Sequence, residues 1–166
     1  MNTTESQPET PSTARPALQD LFVFEAGDRV LAVFADQVDG TTDARVPAVL
    51  PHAPATILGV VCVRGRMLTV LDPIALLTGE ALNWPQTLPY VVALRGDEQL
   101  ALAAQTCRDT ITISAADIER PVKSGEDGSG LLIGLVRYAG EKIIVLNHDR
   151  LFATAMWQKE RRRRRF

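Results

Sequence analysis

The chain has 166 residues, 46% of them apolar, and a formal net charge of −2, which is typical of one globular domain or two small ones. No stretch reaches the roughly 18 apolar residues of a membrane helix, and the N-terminus lacks the apolar core of a secretory signal, so the sequence predicts a cytoplasmic protein. The charge is −5 over residues 21–158 and +5 over residues 159–166, so the body lacks the basic face of a nucleic-acid-binding domain.

The first part of the chain predicts a tail followed by a hairpin. Residues 1–19 are rich in Thr, Ser and Pro and poor in aliphatic side chains, so we expect a disordered tail. Residues 21–34 then contain two apolar runs around a glycine turn, which is typical of a β-hairpin. The polar residues 40–45 and the proline-containing residues 46–51 are expected to connect this hairpin to the next one.

Two strands joined by a tight turn form the clearest motif. Residues 57–63 and 66–71 are the predicted strands, and Arg64-Gly65 is the turn between them. Asp72 follows as the predicted N-cap of a short helix that has a proline at its first position.

The second half repeats this plan. Asn147 is expected to cap a closing C-terminal helix, just as Asp72 caps the first helix. Predicted strands and loops precede it: strands over residues 90–94, 99–103 and 110–113, a loop over 123–130, and a hairpin over 131–146.

The two halves are also similar in sequence. Residues 57–77 placed over residues 132–152 give six identities in 21 positions, including the pair Gly59 and Gly134 and the turn pair Gly65 and Gly140. Residues 21–34 placed over 90–103 align their turn glycines as well. Repeated short strands with glycine turns predict an all-β fold of two small five-stranded barrels.

Few residues in the sequence could carry catalysis. His52 and His148 have no spacing relationship to each other, to a cysteine or to a pair of carboxylates. Cys62, within an apolar run, is expected to be a small buried hydrophobic residue. The chain also lacks a glycine-rich phosphate loop and a Gly-X-Ser-X-Gly motif. We therefore predict a protein that is not an enzyme and has no cofactor and no metal.

Binding is better supported than catalysis. Arg64 can present a planar group of five hydrogen-bond donors at a hairpin turn, although a plain solubilising role is the alternative. The run of arginines near the C-terminus has two interpretations. It is either the solvated end of the last helix or a site of weak contact with an anionic partner such as nucleic acid, an acidic protein or a lipid surface. Its arginines are Arg161, Arg162, Arg163, Arg164 and Arg165.

Residues 50–72 resemble the signature of the CheW-like domain family. The shared features are a proline-containing lead-in, an apolar strand with Gly59, the Arg64-Gly65 turn, a second apolar strand and Asp72. The resemblance implies one CheW-like domain over residues 20–158, made of two SH3-like five-stranded barrels with short helices and a C-terminal helix. These barrels are expected at about residues 20–79 and 88–152, and their terminal elements could be exchanged between them. Residues 159–166 form a basic tail.

The resemblance also implies a function. Such proteins couple methyl-accepting chemoreceptors to a CheA-type histidine kinase, by binding the kinase's CheW-like regulatory domain and the receptor's cytoplasmic tip. The resemblance therefore also implies association with receptor arrays at the membrane. In this family the turn arginine and the apolar residue after the first hairpin belong to the binding surface, which implies Arg64, Gly65 and Val38. Residues 38–41 lack the glutamate usual there, so a divergent scaffold of a non-motility pathway is the alternative.

Overall fold

The computed structural model describes residues 17–121 and 130–156 and shows the predicted all-β fold. The strands are β1 (Leu18–Ala26), β2 (Arg29–Phe34), β3 (Val38–Arg45), β4 (Ile57–Val63), β5 (Arg66–Leu71), β6 (Leu88–Leu94), β7 (Leu100–Ala104), β8 (Thr106–Cys107), β9 (Ile111–Ser114), β10 (Leu132–Tyr138) and β11 (Glu141–Leu146). Helix α1 (Pro73–Thr78) follows β5, and helix α2 covers residues 151–156. Neither described helix has the length and apolar character needed to cross a membrane.

Some sequence predictions concern residues outside the described ranges. Most of the predicted N-terminal tail, most of the loop at residues 123–130 and the whole basic run at residues 161–165 lie outside the described residues. Leu18 and Gln19 were expected in the tail but belong to β1, because they pair with Ser114 and Ile113 of β9.

The strands form two sheets. We call β10-β11-β2-β1-β8, with β9 also paired to β1, the terminal sheet, and β3-β6-β7-β5-β4 the central sheet. The terminal sheet has six strands rather than the expected five. The reason is that residues 108–110 interrupt one strand, so that β8 and β9 pair with successive parts of β1.

Each sheet combines strands from both halves of the chain. The first hairpin, β1–β2, lies with β8–β11, whereas the hairpin β6–β7 lies with β3–β5. The sheets therefore do not follow the division into residues 20–79 and 88–152, and the terminal elements are exchanged. Parallel pairing of β2 with β11 and of β5 with β7 produces this exchange. Parallel neighbours cannot be joined by a short hairpin turn and must come from separate parts of the chain.

The internal repeat is present in the strand register. In the central sheet Val70 pairs with Ala101, and in the terminal sheet the equivalent residues Val145 and Ala32 pair in the same way. The antiparallel register also shifts at the same place in both second hairpins, next to Gly59 and next to Gly134.

Strand β3 was not predicted, because residues 40–45 were interpreted as a connection. Apart from Val38 and Ala44 its side chains are polar or absent, and none is buried, so the sequence shows no apolar alternation. Its strand conformation comes instead from the antiparallel ladder with the largely buried β6, which runs from Val38 opposite Leu94 to Arg45 opposite Leu88.

Apolar side chains form three buried clusters, one within each sheet and one between the sheets. The cluster between the sheets is the largest and draws on both halves of the chain. Its fully buried members include Phe24, Leu31, Leu71, Leu102 and Leu146. This shared core holds the two sheets together and fixes the position of the hairpin ends at the surface.

Asp72 lies buried at the start of α1. Its Oδ1 accepts hydrogen bonds from the backbone N–H groups of Ile74 (2.9 Å) and Ala75 (3.1 Å), and its Oδ2 accepts one from Leu82 (2.8 Å). The carboxylate therefore caps the helix and also ties the loop after the helix to its first turn.

Candidate protein-binding surface

The Arg64-Gly65 turn projects from the end of the central sheet between β4 and β5. The φ angles are +52° at Arg64 and +78° at Gly65. Two successive positive φ values are typical of a type I′ turn, whose twist matches that of the flanking strands. Both residues are exposed, and a Cβ at Gly65 would meet no atom within 4 Å. The turn is therefore open to a partner.

The Arg64 side chain lies across β3 at Gly40. A Cβ built on Gly40 would be 3.7 Å from Nη1 and from Nη2 of Arg64. Gly40 has φ +140° and lies at a register shift next to Val38, which is half-buried against the core between the sheets. The structure thus places Arg64, Gly65 and Val38 at the same end of the central sheet.

A cluster of ionic side chains lies beside Arg64. Arg66 donates from Nη1 to Oδ2 of Asp39 (2.8 Å), and Nη1 of Arg95 is 3.7 Å from Oδ1 of the same carboxylate. The cleft at this cluster measures about 20 Å³, so it does not enclose a small molecule. We call Asp39, Arg66 and Arg95 the central ion cluster.

The terminal sheet carries a related cluster with the charges reversed. Arg108 forms ion pairs with Glu25 and with Glu141, and its Nη2 is 3.1 Å from Oε1 of Glu141. In the sequence repeat Glu141 corresponds to Arg66, and extending the 69-residue offset of the first hairpins beyond residue 34 places Arg108 over Asp39. We call these three residues the terminal ion cluster. The equivalent turn, Ala139-Gly140, has φ angles of +50° and +80° but no arginine.

The ion pairs of the terminal cluster shift the pKa values of its members. Hydrogen bonds from Arg108 lower the pKa of the Glu141 carboxyl, and hydrogen bonds to Glu141 and Glu25 raise the pKa of Arg108. The side chains of Arg108, Glu25 and Glu141 are each about a third exposed or more. Solvent therefore screens their interaction, and these ion pairs contribute only modestly to stability.

The lowered pKa of Glu141 predicts a pH-dependent contribution to stability. A carboxyl whose pKa is depressed by folding stabilises the protein above its unfolded value of 4.5 and loses this effect as the pH falls through the folded value. We therefore expect Glu141→Gln to lower the unfolding temperature slightly near neutral pH, with the difference from the wild type shrinking under acid conditions. Thermal unfolding across a pH series measures this. Glu98→Gln, at an exposed carboxylate with no ion pair in the described part of the chain, should show no such trend.

Exposed apolar side chains extend the surface next to the turn. Cys62 was expected to be buried but is exposed, because strand alternation points Val61 into the sheet interior and Cys62 outward. It lies opposite Met67, whose side chain is 63% exposed. Val49, 80% exposed, follows Ala48, which pairs with Val60 of β4. The sequence did not identify these residues, since its alternation gave no way to tell the outer face of the hairpin from the inner one.

The two histidines occupy different places, and His148 reaches the backbone of Arg95 in the central ion cluster. His52 is exposed in a turn with φ +61°. His148 contacts the Arg95 carbonyl oxygen through Nε2 (2.6 Å) and Asp149 through Nδ1 (3.3 Å). Within residues 17–121 and 130–156, no three His, Cys, Asp or Glu side chains are grouped so as to hold a metal ion.

The fold consists of two small sheets, and the exposed hairpin end of the central sheet carries an open arginine turn and apolar side chains. These features define a protein-binding domain. The CheW-like domain family matches residues 20–156, and the chain belongs to this family. The chain is also 35% identical over 145 residues to protein FrzA of Myxococcus xanthus, an alignment covering 86% of this chain and 89% of that protein. These matches confirm the resemblance in residues 50–72.

Two further matches agree with this assignment. The chain is 27% identical over 138 residues to the chemotaxis protein CheW of Rhizobium meliloti, covering 81% of this chain and 87% of that one. The fold resembles the scaffolding protein TtCheW of Thermoanaerobacter tengcongensis with a TM-score of 0.67 and 17% identity, covering 79% of this chain and 90% of that chain. Proteins of this family are non-catalytic scaffolds and adaptors, so the chain is a chemotaxis-type adaptor and not an enzyme.

Proposed function

We propose that this adaptor couples chemoreceptors to a CheA-type histidine kinase, in the cytoplasm and in association with membrane receptor arrays. The observation that supports this most is the exposed Arg64-Gly65 turn, which lies at one end of the central sheet together with Val38. Family membership and the likeness to a chemotaxis protein CheW support the same role.

The proposed mechanism is binding alone. Arg64 offers donors that form no ion pair within the described residues, so they are available to a partner. Exposed apolar side chains such as Met67 and Val49 supply area that a partner can cover. The partners are the regulatory domain of the kinase and the cytoplasmic tip of the receptor. A scaffold in a non-motility pathway would use the same surface with other partners.

Arg64→Ala is expected to weaken binding to at least one of these partners by about 2 kcal/mol, or roughly 30-fold, as for an arginine hot spot. The truncation removes all five donors at the open turn but breaks no ion pair within the described residues. Biolayer interferometry with the receptor tip and with the kinase regulatory domain of the same organism measures the change.

Arg137→Ala is the matched control, because it removes the same charge from an exposed position on β10 of the terminal sheet. Unchanged affinity of Arg64→Ala for both partners would remove this turn from the mechanism. Failure of the wild-type protein to bind either partner would argue against the coupling role itself.

A further inference from the structure

We propose that the outer face of α2, together with the basic residues that follow it, binds an anionic phospholipid surface. The outer face consists of Phe152, Ala153 and Met156, and the basic residues are Lys159 and Arg161 to Arg165. This contact is additional to the coupling function and does not depend on it, because it needs neither the receptor nor the kinase. It follows from the burial pattern of α2 and from the charge that follows the helix in the sequence.

One face of α2 anchors the helix to the body of the protein. Leu151 and Ala155 are fully buried in the cluster between the two sheets. Thr154 is buried with them and donates a hydrogen bond from Oγ1 to the carbonyl oxygen of Arg150 (2.6 Å). These contacts fix the rotation of the helix about its own axis. The opposite face therefore cannot turn inward and stays at the surface.

The opposite face of α2 is apolar as well. Phe152 is 46% exposed, Met156 is 39% exposed, and Ala153 between them is also exposed. Phe152 and Met156 are four positions apart, so they are neighbours on the helix surface. A surface helix of a globular protein normally has polar or charged side chains on its outer face, whereas a helix that is apolar all round is covered on both sides. The outer face of α2 therefore has the character of a contact surface.

The residues after Met156 bring positive charge to this face. Trp157 follows directly in the sequence, and Arg161, the first of the five arginines, comes five positions after Met156. Five residues span at most roughly 18 Å, so the arginine run begins close to the end of α2 in any conformation. Apolar and aromatic side chains beside a basic cluster are typical of segments that lie in the interface of an anionic bilayer. The apolar groups enter the boundary of the acyl chains, and the basic groups meet the headgroups.

The distribution of charge favours contact at this end of the chain alone. Residues 21–158 sum to −5 and residues 159–166 to +5, so an anionic surface attracts the basic run and repels the body. A nucleic acid would attract the same arginines through its phosphates. It offers no apolar layer to cover the outer face of α2, whereas a bilayer does. A phospholipid surface therefore accounts for both the charge and the apolar face.

The test measures binding of the full chain to vesicles by co-sedimentation. The anionic vesicles are phosphatidylcholine with roughly one-third phosphatidylglycerol, and vesicles of phosphatidylcholine alone are the neutral comparison. One variant has Arg→Gln at each of positions 161–165. A second variant combines Phe152→Ala with Met156→Ala. Its matched control combines Tyr138→Ala with Leu132→Ala, an aromatic and an aliphatic residue of β10 that are 43% and 37% exposed.

We expect the wild type to bind the anionic vesicles but not the neutral ones, and added salt to weaken this binding. The five Arg→Gln changes should weaken it at least about 100-fold, because each basic residue near such a surface adds to the affinity. Phe152→Ala with Met156→Ala should weaken it about tenfold and leave the salt dependence unchanged, since the charges remain. The control variant should bind like the wild type. Should the double variant fail to fold, Met156→Ala alone gives the same comparison with Leu132→Ala.

Equal binding of the wild type to anionic and neutral vesicles, or binding to neither, would overturn the proposal. So would equal affinities of the α2 variant and its β10 control. A DNA duplex that binds more tightly than the anionic vesicles, with an affinity that does not depend on Phe152 and Met156, would assign the arginines to nucleic acid instead. The vesicles contain no receptor and no kinase, so these outcomes are distinct from a failure of the coupling function.

Discussion

Phe24→Ala is expected to lower the free energy of unfolding by about 3–5 kcal/mol, the range for removing a large aromatic side chain from a packed core. Phe24 is fully buried in the cluster between the two sheets. The alanine would leave a cavity lined by residues of both halves of the chain, where neither sheet can move alone to fill it. Urea unfolding followed by circular dichroism measures the change.

The matched control is Phe152→Ala, because Phe152 in α2 is 46% exposed. Its truncation removes the same atoms but creates no closed cavity, so a loss of about 1 kcal/mol or less is expected. We also expect one cooperative transition in the wild type, since the largest core belongs to both sheets. Equal losses in the two variants would mean that the core between the sheets does not hold the fold together.

Gly59→Ala is expected to destabilise the protein by about 3 kcal/mol or more, through two costs that add. Position 59 has φ +144°, where a side chain is strained, and overpacking is costly as well. The new Cβ would lie 2.5 Å from the carbonyl oxygen of Ala48 and 2.9 Å from Cβ of Pro47. That carbonyl cannot retreat freely, because Ala48 and Val60 exchange two backbone hydrogen bonds of 2.9 Å.

Two other glycines separate these costs. Gly140→Ala tests backbone strain alone, because Gly140 has φ +80° and a Cβ there would meet no atom within 4 Å; about 1–2 kcal/mol is expected. Gly134→Ala tests the contact, because its Cβ would lie 2.5 Å from the carbonyl oxygen of Glu119. Gly59→Ala could lower the free energy of unfolding by no more than Gly140→Ala does. That result would mean that the segment at Ala48 moves to accommodate the new Cβ and that the close approach is not essential.

Much of the fold could be predicted because its signals are local. The first hairpin, the Arg64-Gly65 turn and the short helix after Asp72 each depend on a few adjacent residues whose conformational preferences agree. The repeat was also visible, because the glycines needed at tight turns and close approaches occur at the same places in both halves. The candidate site could be predicted only to the extent that the family motif contains it.

The charge clusters and the contact at Gly40 could not be predicted. Asp39 and Arg66 are 27 positions apart, and Glu25 and Arg108 are 83 apart. Charged residues are common at protein surfaces, so nothing in the sequence marks these as pairs before the strands are assembled. Cys62 shows the same limit, since an apolar run does not reveal which of its alternating faces is buried.

The sequence by itself determined the all-β class, the doubled hairpin module and the turn that carries Arg64, because these follow from local backbone preferences and apolar patterning. Only the tertiary structure decided that the hairpins are exchanged between the sheets and that the polar β3 is a strand. It also decided that Arg64 lies over Gly40 without an ion pair to any residue in the described part of the chain. Each of these depends on hydrogen bonding or packing between segments that are distant in the chain. One segment is then held in its conformation by another, as β3 is by β6.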